Sequence, residues 1–139
     1  SLAELQSLTK SLGIEHLIEF SGYLINDPLD SAYEKAHVGV ATLAGFRKSL
    51  TVASELKARE YASKGLPFIM ALQDIDFGEQ CTFVKHVSND DSLLDIEELI
   101  CWYTNTIRSI SMLSIRVYAE SNLDFSKKIK KIIDLDRIK

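Results

Sequence analysis

Apolar positions along the chain change period from segment to segment, and each period predicts an element. Leu2, Leu5, Leu8 and Leu12 recur at three- and four-residue spacing, which predicts a helix over residues 2–12 ended by Gly13. Ile14 to Gly22 reads as a short strand closing on Ser21-Gly22. Asn26-Asp27-Pro28 is a helix start, with Asp27 as cap and Pro28 first in the helix, and this helix turns Leu29, Ala32, Tyr33 and Ala36 inward. Val38 to Leu43 then lies in an apolar run without alternation, the form of a strand buried on both faces.

The stretch from Ser54 to Met70 predicts half of an α/β repeat. Ser54 is the candidate cap, Glu55 an acid at the positive helix end, and Leu56 to Lys64 contains neither Gly nor Pro. Gly65 is the left-handed stop, and Pro67 pushes Leu66 into extended backbone, so Phe68 to Ala71 continues as a core strand. At 100° per residue, Ala58, Tyr61, Ala62 and Gly65 share a face small enough to lie on a sheet. Lys57, Glu60 and Lys64 share a second face, and Glu55 and Arg59 a third; solvated charge pairs are the plainest reading of both. Between the two strands runs a polar loop with Gly45, Arg47 and Lys48. Strand, basic glycine-containing loop and helix N-terminus, in that order, make an anion site at the carboxyl end of a parallel sheet.

Beyond Met70 the pattern loosens. Gln73 to Gly78 reads as a loop, with Asp74 and Asp76 as a solvated carboxylate pair, and Cys81 to Val87 as the last strand. Asp90 or Asp91 caps a long helix in which Leu93, Ile96, Leu99, Ile100, Tyr103, Ile107 and Ile110 keep helical spacing. Arg116 to Ala119 predicts a short helical segment. Asp124 caps a final helix with Phe125, Ile129, Ile132 and Ile133 inward and Lys127, Lys128, Lys130 and Lys131 outward. That lysine run is read as a solvated face, with a membrane-surface role as the alternative.

Composition narrows the function classes. A chain of 139 residues is expected to form a single domain, 1–139, with the helices of 91–139 packed on it. A formal net charge of −4 argues against a nucleic-acid partner, for which a basic footprint is expected. Cys81 and Cys101 lack CxxC spacing and are read as buried free thiols of a reducing, cytoplasmic compartment. No run reaches the length of a membrane span, and the first residues lack the regions of a signal peptide. His16, His37 and His86 fall on different elements, His37 in a core strand, and no metal-ligand spacing, nucleophile elbow or Walker loop occurs. Neither a catalytic residue, a metal site nor a cofactor is expected in this chain.

Ser54, Leu56, Lys57, Glu60, Tyr61, Ala62, Gly65, Pro67, Phe68 and Ile69 resemble the donor-binding signature of the group-one family of GT-B fold glycosyltransferases. Ile18-Glu19-Phe20-Ser21-Gly22-Tyr23 is similar to that family's "V.F.G" strand, and Leu29 to Val40 to its following helix and strand. Arg116 to Glu120, with Leu123-Asp124-Phe125, looks like its closing segment. One departure is Val52, which stands where many members carry a second Glu eight positions before the helix Glu.

The resemblance implies a Rossmann-like parallel sheet flanked by helices in three α/β/α layers, the carboxyl-terminal domain of a GT-B enzyme lacking its first strands and glycine loop. It implies a hexosyltransferase-type enzyme of polysaccharide biosynthesis, using a nucleotide-diphosphate sugar such as a UDP- or GDP-sugar. The catalytic partner residues would lie in the missing half, so the isolated fragment would be inactive. Glu60 would hold the ribose, and Lys57 the diphosphate with Arg47, Lys48 and Gly45, while Tyr23 and Leu24 would meet the nucleobase. An epimerase of the same fold and a non-catalytic nucleotide-binding domain are the alternatives. Without its first strands the domain leaves the Val38 strand short of a neighbour, which implies either pairing of the Ile18 strand against it or self-association of the fragment through that edge.

Overall fold

The computed structural model describes residues 1–136; within the last helix, the side chains of Lys128, Lys131, Ile132, Asp134, Leu135 and Asp136 lie outside that description. The chain divides into two compact units, Ser1–Ala32 and Tyr33–Lys139.

In the first unit, α1 spans Leu2–Ser11 and opens with a capping box between Ser1 and Glu4. Leu2, Leu5, Leu8 and Leu12 are each more than half exposed, and Thr9, bonded to Gln6 O at 2.9 Å, is the one buried residue described in this unit. Gly13 ends the helix at φ 66°. The strand expected over Ile14–Gly22 does not form. A 3-10 turn occupies Glu15–Leu17, and the residues after it pair with no strand among the described residues, so Ile18 and Phe20 stay exposed. Helix α2, Asp27–Lys35, already includes Asp27, expected as its cap with Pro28 first in the helix; Ala32 and Ala36 are exposed, and Leu29 and Tyr33 are half-buried.

The second unit is an α/β arrangement around a three-stranded parallel sheet flanked by helices. Its strands are β1, Gly39–Val40, β2, Phe68–Met70, and β3, Val84–His86, in the order β1-β2-β3. Gly39 pairs with Phe68, and Phe68 with Val84. The helices are α3, Leu56–Lys64, α4, Ile96–Asn105, α5, Met112–Asn122, and α6, Phe125–Asp136. Alternation along β2 sends Phe68 and Met70 to the face covered by α3 and α5, where Tyr61, Phe77, Phe83, Tyr118 and Ile115 close the core. Phe68 meets Phe77 edge to face at 5.2 Å between ring centroids. A side chain at Gly39 would lie 2.8 Å from the Tyr61 ring, and Tyr61 donates its hydroxyl to Val40 O at 3.0 Å. That contact occupies a carbonyl on the open edge of β1.

Several boundaries move for local reasons. Gly65 adopts φ 76°, and its N–H reaches Ala62 O, as its place after α3 predicts. The long helix from Asp90 or Asp91 does not form. Asp90 instead accepts from Ser92 N at 2.8 Å, Asp95 caps α4 through Glu98 N, and the chain passes Asn105 into a 3-10 turn that buries Ile107. The segment at Arg116–Ala119 is the middle of the longer α5. On α6, Phe125, Ile129 and Ile133 are exposed rather than inward. The inward placement expected for Ile132, and the outward one for Lys128 and Lys131, lie outside the described residues. His37 is exposed, edge-on to Tyr103 with centroids 6.2 Å apart, because the sheet begins only at Gly39. Cys81 is buried as expected, while Cys101 is exposed on α4.

Candidate functional site

The carboxyl end of the sheet holds Asp74, the buried charged residue described in the second unit. Past Met70 the backbone stays paired: Ala71 N donates to Thr42 O at 3.1 Å, Gln73 N to Thr51 O at 2.9 Å and Ala53 N to Gln73 O at 3.0 Å. These bonds hold the segment before α3 against the continuation of β2 and set the helix N-terminus over the strand ends.

Asp74 is thereby carried under α3 with its side chain fully buried. Arg59 meets it with two parallel bonds, Nη1 to Oδ2 at 2.7 Å and Nη2 to Oδ1 at 3.1 Å. Nη2 also donates to Asp76 Oδ2, and Nη1 to Glu55 O at 3.0 Å, while the guanidinium lies 5.6 Å from the Phe77 ring centre. Asp74 further accepts from Glu55 N and Asp76 N. The bond to Asp74 raises the Arg59 pKa above its ordinary value, against the opposing effect of burial. The carboxylate pair read as solvated is therefore a buried ion-pair centre. One arginine joins the two carboxylates, and three backbone N–H or C=O groups complete the arrangement. Close by, Tyr118 donates its hydroxyl to Asp76 O, and burial pushes the Tyr118 phenol and the Cys81 thiol upward.

Glu55, not Ser54, is the residue preceding α3, and its side chain does not cap the helix. Its Oε2 accepts from Thr42 N at 3.1 Å across the end of β1, and its buried Oε1 has no hydrogen-bond partner among the described residues. Among the described residues, the first-turn N–H groups of α3 are thus left without a side-chain cap, at the end of the helix where the dipole favours an anion.

Beside this centre opens a cleft of about 780 Å³ at the carboxyl ends of β2 and β3, walled by Thr51, Gln73, Asp74, Phe77, His86 and Asn89. His86 Nε2 stands 3.0 Å from Phe77 O, the geometry of an N–H donor to that carbonyl. Asn89 accepts from Phe46 N at 2.9 Å and donates to Leu50 O at 2.7 Å, tying the loop after β3 to the 3-10 turn Gly45–Lys48.

Of the residues singled out in the sequence, Gly45, Arg47 and Lys48 share that turn, and Lys57 and Glu60 share α3. Gly45 is buried where a Cβ would lie 2.3 Å from Leu72 Cδ2. The Arg47 guanidinium is turned to Asp91 at 2.7 Å in an exposed pair. Lys57 is exposed in the first turn of α3 and Glu60 half-buried one turn further on; neither side chain has a bonded or ionic partner among the described residues. Both lie outside the walls of the cleft, which Val52 does line. Tyr23, almost fully exposed, and Leu24, half-buried, belong to the first unit.

Sequence reasoning passed over Glu55, Arg59, Asp74 and Asp76 as an ensemble. The available signal was the Glu55–Arg59 spacing of four with two acids just past the next strand, which periodicity alone cannot separate from solvated charges. Among the described residues, no group of three or more His, Cys, Asp or Glu side chains could hold a metal ion. Comparison of the chain with protein-family models, with curated proteins and with solved structures finds no match.

Proposed function

We propose that the second unit binds the nucleoside diphosphate of a nucleotide-diphosphate sugar, as the donor half of a cytoplasmic GT-B glycosyltransferase. The observation that carries this reading is the N-terminus of α3 over the strand ends, which has no side-chain cap and where, among the described residues, neither Lys57 in the first turn nor Glu60 one turn on has a side-chain partner. Free first-turn amides and an ammonium suit a diphosphate, which is doubly charged or more and accepts hydrogen bonds on every oxygen. A carboxylate suits vicinal ribose hydroxyls, because it accepts both at once. The likeness of Ser54 to Ile69 to the family's donor signature supports the same two roles.

In this mechanism the chain positions and stabilises. Lys57 and the α3 amides offset negative charge building on the departing diphosphate, the kind of preorganised stabilisation that lowers a transfer barrier. The Arg59–Asp74–Asp76 centre, tied to Glu55 N and Glu55 O, holds the helix end in place without reorganising as charge develops. The acceptor and the groups that activate it belong to the other half of such an enzyme.

Calorimetric titration with UDP, GDP and ADP tests this. Binding is expected with Kd on the order of millimolar, about −4 kcal/mol, for an unclosed half-site. Lys57→Ala should weaken it with a loss that shrinks at high salt, whereas the loss in Glu60→Ala should be indifferent to salt and disappear when inorganic pyrophosphate replaces the nucleotide. Absence of binding by all three nucleotides would refute the reading, as would identical salt responses of the two variants.

A further inference from the structure

Helix α6 carries an apolar stripe that the described residues leave partly exposed. Phe125, Ile129 and Ile133 follow one another at i, i+4 and i+8, so they stand in line on one side of the helix. They are 75 %, 40 % and 48 % exposed. The same stretch is the chain's densest positive charge: Lys127, Lys128, Lys130 and Lys131 fall within five residues, and no acid occurs from Phe125 to Ile133, in a protein of net charge −4. Lys127 and Lys130 are exposed, and Lys127 Nζ donates to Glu120 O at 2.6 Å, which steadies the ammonium beside the end of α5 and leaves its charge in place.

An apolar stripe and a lysine cluster on one short helix make different demands. The stripe gains by leaving water, and the ammonium groups gain only where negative charge is near and water remains. A nucleic acid answers the second demand and not the first. An anionic bilayer answers both, since acyl chains begin a few ångströms below a plane of phosphates. No helix among the described residues is long and apolar enough to cross a membrane, so the contact suited to this chain is along the surface.

We propose that α6 is a peripheral membrane-binding element, lying in the plane of an anionic lipid surface with Phe125, Ile129 and Ile133 in the acyl boundary and Lys127 and Lys130 at the headgroups. This is independent of nucleotide binding at α3, and either holds without the other.

Vesicle flotation of the full chain tests it, with vesicles of equal parts phosphatidylcholine and phosphatidylglycerol against phosphatidylcholine alone. The wild-type chain should partition onto the anionic vesicles at least about tenfold better and lose that preference as salt rises, the mark of attraction to surface charge. Removing a lysine costs roughly fivefold in partitioning, so Lys127→Glu with Lys130→Glu should lose about 25-fold or more. Phe125→Ser with Ile129→Ser should lose binding at every salt concentration, by at least about tenfold. All four side chains are exposed, so unchanged far-ultraviolet circular dichroism is expected and shows that each variant is folded. Equal partitioning onto the two vesicle types would overturn the proposal, and so would wild-type binding by the Phe125/Ile129 variant. A lipid-free dimer in sedimentation velocity that the same variant converts to monomer would also overturn it, by assigning the stripe to a second copy.

Discussion

The two units are written in the same alphabet of periodic apolar residues and end differently. In Ser1–Ala32 the leucines of α1 keep helical spacing as well as any segment of the chain, yet each remains more than half exposed. In Tyr33–Lys139 a less regular pattern supplies a closed core of Phe68, Met70, Phe77, Leu72 and Ile115. Periodicity predicts which side of an element is apolar. Burial needs a second surface, and β1, β2, β3, α3 and α5 provide one for each other. The transfer of apolar area out of water, the main stabilising term, is thus concentrated in the second unit.

The contrast can be broken most directly in the core. Phe68→Ala should cost about 3–5 kcal/mol, because a fully buried ring packed against Tyr61, Phe77 and Phe83 leaves a cavity that the sheet cannot collapse. Leu8→Ala on α1 should cost roughly 0.5 kcal/mol or less, since its side chain has little burial to lose. Urea unfolding of both variants decides; comparable losses would mean that α1 is covered in solution.

Polar groups sharpen the same contrast. Asp74→Ala should destabilise by about 3 kcal/mol, because it leaves the mostly buried Arg59 guanidinium with one carboxylate instead of two. Glu4→Ala removes half of the exposed capping box that opens α1 and should cost at most about 1 kcal/mol. The midpoints of denaturant melts separate these values.

Two glycines give a finer comparison. Gly13 and Gly65 both adopt left-handed backbone, at φ 66° and 76°. A Cβ at Gly13 meets nothing within 4 Å, so Gly13→Ala should cost only the left-handed penalty, about 1 kcal/mol. At Gly65 the new atom would fall 2.6 Å from Met112 O, so Gly65→Ala should cost at least about 2 kcal/mol, because α5 must also move. Equal thermal shifts would mean that α5 yields freely.

The smallest expected effect is alkaline. Burial raises Cys81 above the ordinary 9.0 and Tyr118 above the ordinary 10.0, so folding keeps protons that the unfolded chain releases. The stability tied to these groups is whole below about pH 9 and declines as pH climbs through the region where the unfolded thiol and phenol ionise. Tyr118→Phe should flatten the upper part of that decline in thermal melts taken from pH 8 to 11.

Much of this fold was legible in local chemistry. Gly65 had to stop α3, Pro67 had to send the chain extended into β2, and Asp27-Pro28 had to open α2, since each follows from the φ that one residue prefers or forbids. The strand misread at Ile14–Gly22 shows the limit: a strand needs a partner, and Ile18 and Phe20 have none among the described residues. The candidate site divides in the same way. The order of strand, basic loop and helix is a property of the chain's succession and could be read residue by residue. That Glu55 turns from the helix to Thr42, that Arg59 and Asp74 find each other across fifteen positions, and that Arg47 goes to Asp91 were settled only when β2 continued past Met70 and brought those side chains together. Sequence determines torsional preference, because that is local; the pairing of charges depends on distances through space, which packing alone decides.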